Sequence, residues 1–159
     1  MASPLLRTDK EIEEIYDRHK DMIYRICFAY MKNISDTEDA VQDTFCKLIK
    51  SGIFFESEEH EKAWLIRVAT NLCKNTLWHW WRKRESLENQ ANLKANNADV
   101  DQILSLVLAL PNKYKTVVYL YYYEGYDSVE IGKILRKPQS TIRFYLSNAR
   151  KLLREKLSI

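Results

Sequence analysis

Apolar residues recur every three or four positions along most of this chain, and polar runs separate the recurrences. Across DKEIEEIYDRHKDMIYRICFAYMK, residues 9–32, Ile12, Ile15, Tyr16, Met22, Ile23, Ile26, Cys27 and Tyr30 share one helical side. Acids crowd its first turns, where the helix dipole favours negative charge. NISDTED starts a second helix over 36–50, with Ser35 or Asp36 as the expected cap. Its apolar stripe is Ala40, Val41, Thr44, Phe45, Leu48 and Ile49, opposite Glu38, Asp39, Gln42, Asp43 and Lys47. SGIFFESEEHE breaks the period at Gly52 and presents Phe54 and Phe55 before a long helix over 59–84. The pattern puts Trp64, Leu65, Val68, Leu72 and Cys73 on that helix's inner face.

Residues 85–101, ESLENQANLKANNADVD, are polar, Asn-rich and weakly periodic, which predicts a flexible linker. The helical pattern resumes at Ile103. Pro111 suits the first turn of a helix carrying NKYKTVVYLYYYE, Gly125 ends it, and Asp127 or Ser128 caps the short VEIGKIL segment. After RKP a final helix runs STIRFYLSNARKLLREKL, with Pro138 near its first position. A short helix, a brief turn and a longer basic helix make a helix-turn-helix pattern. Ile142, Leu146, Ala149 and Leu153 fall at core spacing, which leaves Gln139, Ser140, Arg143, Phe144, Ser147 and Arg150 outward. The expected fold class is all-α: two small helical domains joined by a flexible linker, the C-terminal one a helix-turn-helix.

Composition agrees with helices. Gly and Pro number three each in 159 residues, fewer than tight-turned sheets need. No apolar run approaches the ~20 residues of a membrane span. The N-terminus turns acidic too early for a signal peptide, so a cytoplasmic location is expected. Cys27, Cys46 and Cys73 are far apart and form no CxxC or Cys/His cluster. Each is expected to pack as a small hydrophobe, with no metal and no cofactor. His19, His60 and His79 read as structural or surface residues.

Charge divides the chain. Residues 1–85 hold 14 Lys and Arg against 15 Asp and Glu, whereas residues 131–159 hold eight cations and one acid, Glu155. An acidic front and a basic tail suggest modules that meet different partners. On the last helix an Arg and a Gln can reach base edges, hydroxyls can meet phosphates, and Phe144 offers an apolar face to thymine methyls. Taken alone, a solvated basic face would explain part of this, but less readily its one-sidedness.

The segment LPNKYKTVVYLYYYEGYDSVEIGKILRKPQSTIRFYLSNARKLLREKL resembles the C-terminal module of bacterial RNA polymerase sigma factors of the extracytoplasmic-function group. DTEDAVQDTFCKL is similar to that family's core-binding helix, and HEKAWLIRVATNLCKN to its minus-ten helix. The resemblance covers about 10–84 and 103–157, in the family's order. It implies that Glu38, Asp39, Gln42 and Asp43 contact core RNA polymerase. It also implies that Phe54, Phe55, Ser57, Asn71 and Lys74 engage the minus-ten strand. The implied readers of the minus-thirty-five duplex are Lys137, Gln139, Ser140, Thr141, Arg143, Phe144, Ser147 and Arg150. Without the resemblance, the acids would read as an ordinary solvated face, and burial of one or both phenylalanines stays open. An anti-sigma factor is implied as a further partner by family precedent alone.

Departures from the family pattern matter. Arg136 stands where the tight turn usually has Gly, the usual Lys-Ser-Arg appears as Arg143, Phe144 and Tyr145, and a frequent Arg is Asn148. Glu56, Glu58, Glu59 and Glu61 beside the strand-capture loop would discourage DNA binding by the free protein. In LWHWWRKR, residues 77–84, Trp78, Trp80 and Trp81 replace part of an arginine-rich run. Successive helical residues turn by about 100°, so the three cannot share a side, and at least one faces outward. Stacking on melting DNA, packing against the C-terminal module and docking an inhibitor all stay open for them.

The sequence therefore predicts a region-2-like domain at 1–84, a linker at 85–102 and a region-4-like helix-turn-helix domain at 103–159. Its expected function is to bind core RNA polymerase and direct promoter recognition, DNA melting and transcription initiation, with no active site of its own. No membrane insertion or small-molecule substrate is expected. The alternative is a dimeric helix-turn-helix regulator with an N-terminal sensor or dimerisation domain. A recombinase with a DNA-binding tail is disfavoured because no strand-rich catalytic domain or nucleophile setting is visible.

Overall fold

The structure is a computed structural model that describes residues 7–83 and 106–157; the predicted linker lies outside the described residues. All its regular elements are helical. The first module comprises α1 (Asp9–Met31), α2 (Ile34–Ser51) and α3 (Glu58–Lys83). In the second, a helical turn at 106–108 precedes α4 (Asn112–Val118), which widens into a π-helical turn at Tyr119–Tyr123. Then come α5 (Ser128–Leu135) and α6 (Gln139–Leu157).

Local chemistry sets the boundaries. Thr8 and Glu11 form a capping box at α1, and Asp127 and Glu130 form one at α5. The cap of α2 is Asn33, not the expected Ser35 or Asp36: Asn33 is extended and its side chain accepts from the Asp36 amide at 2.8 Å. The helix therefore begins at Ile34, ahead of both expected caps. Pro111 stands one residue before α4, and Gly125 holds φ 80 where the chain turns toward α5.

Ile15, Ile23, Ile26 and Cys27 from α1 pack with Ala40, Phe45 and Leu48 from α2 and Leu65, Ala69 and Cys73 from α3. Cys27 and Cys73 meet in this core, where a hydrogen bond between them, then burial, pushes the Cys27 thiol well above its ordinary range. Cys46 departs from expectation and is exposed, because it follows the inward Phe45 by one residue, about 100° around α2. Tyr16 and Ile49, expected on apolar stripes, lie exposed at the rim, Tyr16 edge-on to Phe45.

The inner face of α3 is wider than the pattern implied. Leu65, Ile66, Ala69, Thr70 and Cys73 are buried, while Trp64, Val68 and Leu72 are only half-buried. The reason is tertiary: α3 packs on α1 and α2 from one side and on α5 of the second module from the other.

The two modules are docked. Phe28 to Met31 are all buried at the end of α1, so the last carbonyls of that helix need partners within the protein. Phe28 O receives the Lys32 amide, Met31 O the Asn33 side chain, and Ala29 O the Lys115 ammonium of α4 at 2.6 Å. In return, Arg67 of α3 donates to Ile134 O in the last turn of α5 at 2.8 Å. Each module thus supplies a basic side chain that donates to a carbonyl at a helix C-terminus of the other. Between these contacts Thr116 joins Tyr30 at 2.8 Å and Thr70 at 3.0 Å, a buried chain of three hydroxyls. Lys62 pairs with Glu124 at 3.5 Å, and Arg25 lies over the Tyr123 ring.

Candidate functional site

Three surfaces carry the residues expected to act. On α2, Ala40, Val41, Thr44, Phe45 and Leu48 turn inward, and the Thr37 and Thr44 hydroxyls donate to the Asn33 and Ala40 carbonyls. Glu38, Asp39, Gln42 and Asp43 are thereby all placed outward and exposed. None of the three acids has an ion-pair partner among the described residues. The face is an unneutralised acidic strip on a rigid helix.

The loop before α3 separates its two phenylalanines. Phe54 is 80% exposed. Phe55 is half-buried against Trp64 and His60, with the Arg7 guanidinium 4.8 Å above its ring; Arg7 also donates to Ile53 O. Ser57 starts α3, its hydroxyl accepting from the His60 amide at 3.1 Å. Of the three, Phe54 alone offers a whole ring face. Glu61, expected among exposed acids, is buried instead and holds Arg18 at 3.0 Å and His19 at 2.7 Å. It therefore joins α3 to α1, while Glu56, Glu58 and Glu59 are exposed.

Asn71 and Lys74 lie about four and about five helical turns from Ser57, about 20 and about 25 Å along α3. Asn71 is exposed, and Lys74 is half-buried at the boundary with the second module. Burial, then the nearby Lys137, lowers the Lys74 pKa. At the end of α3, Trp78 and Trp81 stack with centroids 5.3 Å apart and remain about 60% exposed, while Trp80 is half-buried. The exposed pair are three residues apart, as neighbours on one helix face must be.

The helix-turn-helix is closed by two unusual fits. A Cβ on Gly132 would lie 2.9 Å from Lys137 O, so the α5–turn approach requires glycine there. Arg136, where the turn usually carries Gly, adopts φ 58 and does so as a left-handed cap of α5. On α6, Ile142, Leu146 and Ala149 are buried. Lys137, Gln139, Ser140, Arg143, Phe144 and Ser147 are exposed, whereas Thr141 and Arg150 are half-buried. Two are partly occupied: Gln139 donates to Ser128, and Arg150 donates to Tyr122 OH at 3.2 Å. Tyr145 turns inward against Tyr114, and Asn148 donates to Tyr114 OH. Arg143 and Phe144 are both exposed, Phe144 at 61% with its ring tilted 6.5 Å from that of Tyr145.

Lys115, Thr116, Arg67 and Thr70 were not singled out by sequence, although they join the modules. A signal existed for one. Lys115 stands three and four residues before Val118 and Tyr119, so it interrupts an apolar stripe, the mark of a lysine with an internal task.

Comparison with known proteins bears on the same two modules. The Sigma-70 region 2 family matches residues 15–86 and the Sigma-70, region 4 family matches residues 101–153. The ECF RNA polymerase sigma factor SigW of Bacillus subtilis is 29% identical over 167 residues, covering 91% of this chain and 87% of the relative. The RNA polymerase sigma factor SigV of the same organism is 28% identical, covering 88% and 87%. Among solved structures, the sigma factor RpoE in complex with the anti-sigma factor NepR, from Bartonella quintana, superposes with a TM-score of 0.70 at 19% identity. That match covers 94% of this chain and 99% of the other. With a region-2 module and a region-4 module in this order and relatives matched along nearly the whole chain, the protein belongs to the extracytoplasmic-function group of sigma-70 factors, which direct promoter-specific transcription initiation.

Proposed function

We propose that the acidic strip of α2, Glu38, Asp39, Gln42 and Asp43, docks core RNA polymerase, and that the two modules read the two promoter elements. Phe54 receives an unstacked base of the minus-ten strand, with Phe55 and Ser57 holding its loop in place. Asn71 and Lys74 contact the same element along α3. Arg143 and Phe144 read the minus-thirty-five duplex, flanked by Lys137, Gln139, Ser140, Thr141, Ser147 and Arg150. The domains run 1–84 and 103–159, joined through 85–102. Polymerase performs the chemistry, in the cytoplasm, and this chain supplies none. By likeness to the NepR complex, an anti-sigma protein is a further proposed partner.

The observation that carries this reading is the separation of two exposed faces onto different modules: unpaired carboxylates on α2, and a cation–aromatic face on α6. Tethering multiplies two weak contacts into one usable affinity. Because Lys74 is half-covered by the second module, minus-ten binding requires the modules to part.

The test is in vitro transcription by core polymerase and this chain on a promoter library. Initiation at start sites that share two spaced elements is expected. No initiation at any site, or dimer binding to palindromic duplex without polymerase, overturns the reading.

A further inference from the structure

Between α3 and the second module lies a partly enclosed cleft of about 250 Å³. Both modules line it with cations: Arg67 and Lys74 from α3, Lys113 from α4 and Lys137 from the turn before α6. Thr70 and Thr116 add hydroxyls, and no carboxylate is among the lining residues. None of the four cations has an ion-pair partner among the described residues. Like charges oppose each other across the boundary. After burial, Lys137 is the next influence lowering the Lys74 pKa, and Arg136 the next lowering that of Arg67. Facing cations in a partly dry cleft repel more strongly than they would in water. Docking therefore leaves an electrostatic deficit at its centre, of the sign that an anion fills.

Size and charge narrow the ligand. A water molecule occupies about 30 Å³ of liquid, so the cleft has room for roughly eight. That suits one compact polyanion and falls short of the ~300 Å³ at which drug-sized pockets begin. Four cations set in pairs on two walls call for more than one negative group. We propose that the cleft binds a diphosphate group, whose two ends neutralise the α3 cations and the second-module cations together and so hold the modules closed. One consequence rests on the promoter reading: because Lys74 and Lys137 also serve DNA there, diphosphate and promoter compete. Binding itself needs neither polymerase nor DNA, so its failure is distinguishable from failure of that reading.

The test is calorimetric titration of inorganic pyrophosphate into the full chain at fixed ionic strength, alongside the distance between fluorophores placed one on each module. One-to-one binding, tighter than that of sulfate, with the modules drawn closer, is expected. Lys74→Gln and Lys137→Gln should each weaken it about tenfold or more, the loss expected for a charge-assisted hydrogen bond. Lys10→Gln, exposed on α1, should not. A nucleoside diphosphate that binds equally well assigns the site to the diphosphate of a larger ligand; tenfold weaker binding assigns it to free diphosphate. No saturable binding at millimolar pyrophosphate, equal weakening by Lys10→Gln, or separation of the modules on binding overturns the proposal.

Discussion

The Lys115 ammonium of the second module lies 2.6 Å from the Ala29 carbonyl, at the C-terminus of a helix in the first module, and is only 1% exposed. Burial, then the charge of Lys32, brings its pKa down to about 7 from an ordinary 10.5. Tyr30 beneath it is pushed upward by burial and stays neutral across that interval. Once the modules part, Lys115 returns to water and holds its proton more firmly. Below about pH 7 both forms are protonated, and docking is weakest and pH-independent. From about 7 to about 10 the separated form holds Lys115's proton more often, so this group makes docking tighten as pH rises, by at most about 1.4 kcal/mol per unit. Lys115→Met should flatten that dependence, as read by inter-module fluorescence distance from pH 6.5 to 10. An unchanged slope in the variant would move the titration to another group.

The Tyr30–Thr116–Thr70 hydroxyl chain crosses the same boundary. Thr116→Val keeps shape but strands two buried hydroxyls, at about 1–3 kcal/mol. Looser docking is expected, and with it tighter binding of a minus-ten single strand, because Lys74 becomes accessible. Fluorescence anisotropy with labelled strand measures this; unchanged affinity would mean that the docked form does not limit access.

Gly132 and Arg136 make opposite predictions within one turn. Gly132→Ala places a methyl 2.9 Å from a backbone carbonyl and should cost about 1–3 kcal/mol. Arg136→Gly relieves a left-handed non-glycine residue and should stabilise by about 1 kcal/mol. Urea unfolding followed by Tyr fluorescence in the second module distinguishes the two signs.

Interface assignments have their own tests. Asp39→Arg combined with Asp43→Arg should abolish core polymerase pull-down while circular dichroism stays native, since both residues are exposed. Arg143→Ala should relax preference at a single minus-thirty-five position by about 1–3 kcal/mol. Uniform weakening across sequences would limit Arg143 to phosphate contact.

The stacked Trp78–Trp81 pair bears no core load, so replacing both with Ala should leave the melting temperature nearly unchanged. If the pair stacks on an opened strand, each lost contact costs about 1–3 kcal/mol, and open-complex formation falls accordingly. Normal permanganate reactivity of the melted promoter in the variant would rule out that role.

Hydrophobic period and charge asymmetry by themselves determined the helices, the helix-turn-helix, the outward acids of α2 and the outward Arg143 and Phe144. These depend on residues within a turn or two of each other, where neighbouring side chains dictate the backbone. Only the tertiary structure decided which of Phe54 and Phe55 is free, that Glu61 belongs to Arg18 and His19, and that Tyr145 faces inward. It alone placed Lys115 on Ala29 and Arg67 on Ile134, contacts spanning 86 and 67 residues. Nothing local records such pairings, because a helix end exposes the same unpaired carbonyls whichever distant cation eventually meets them.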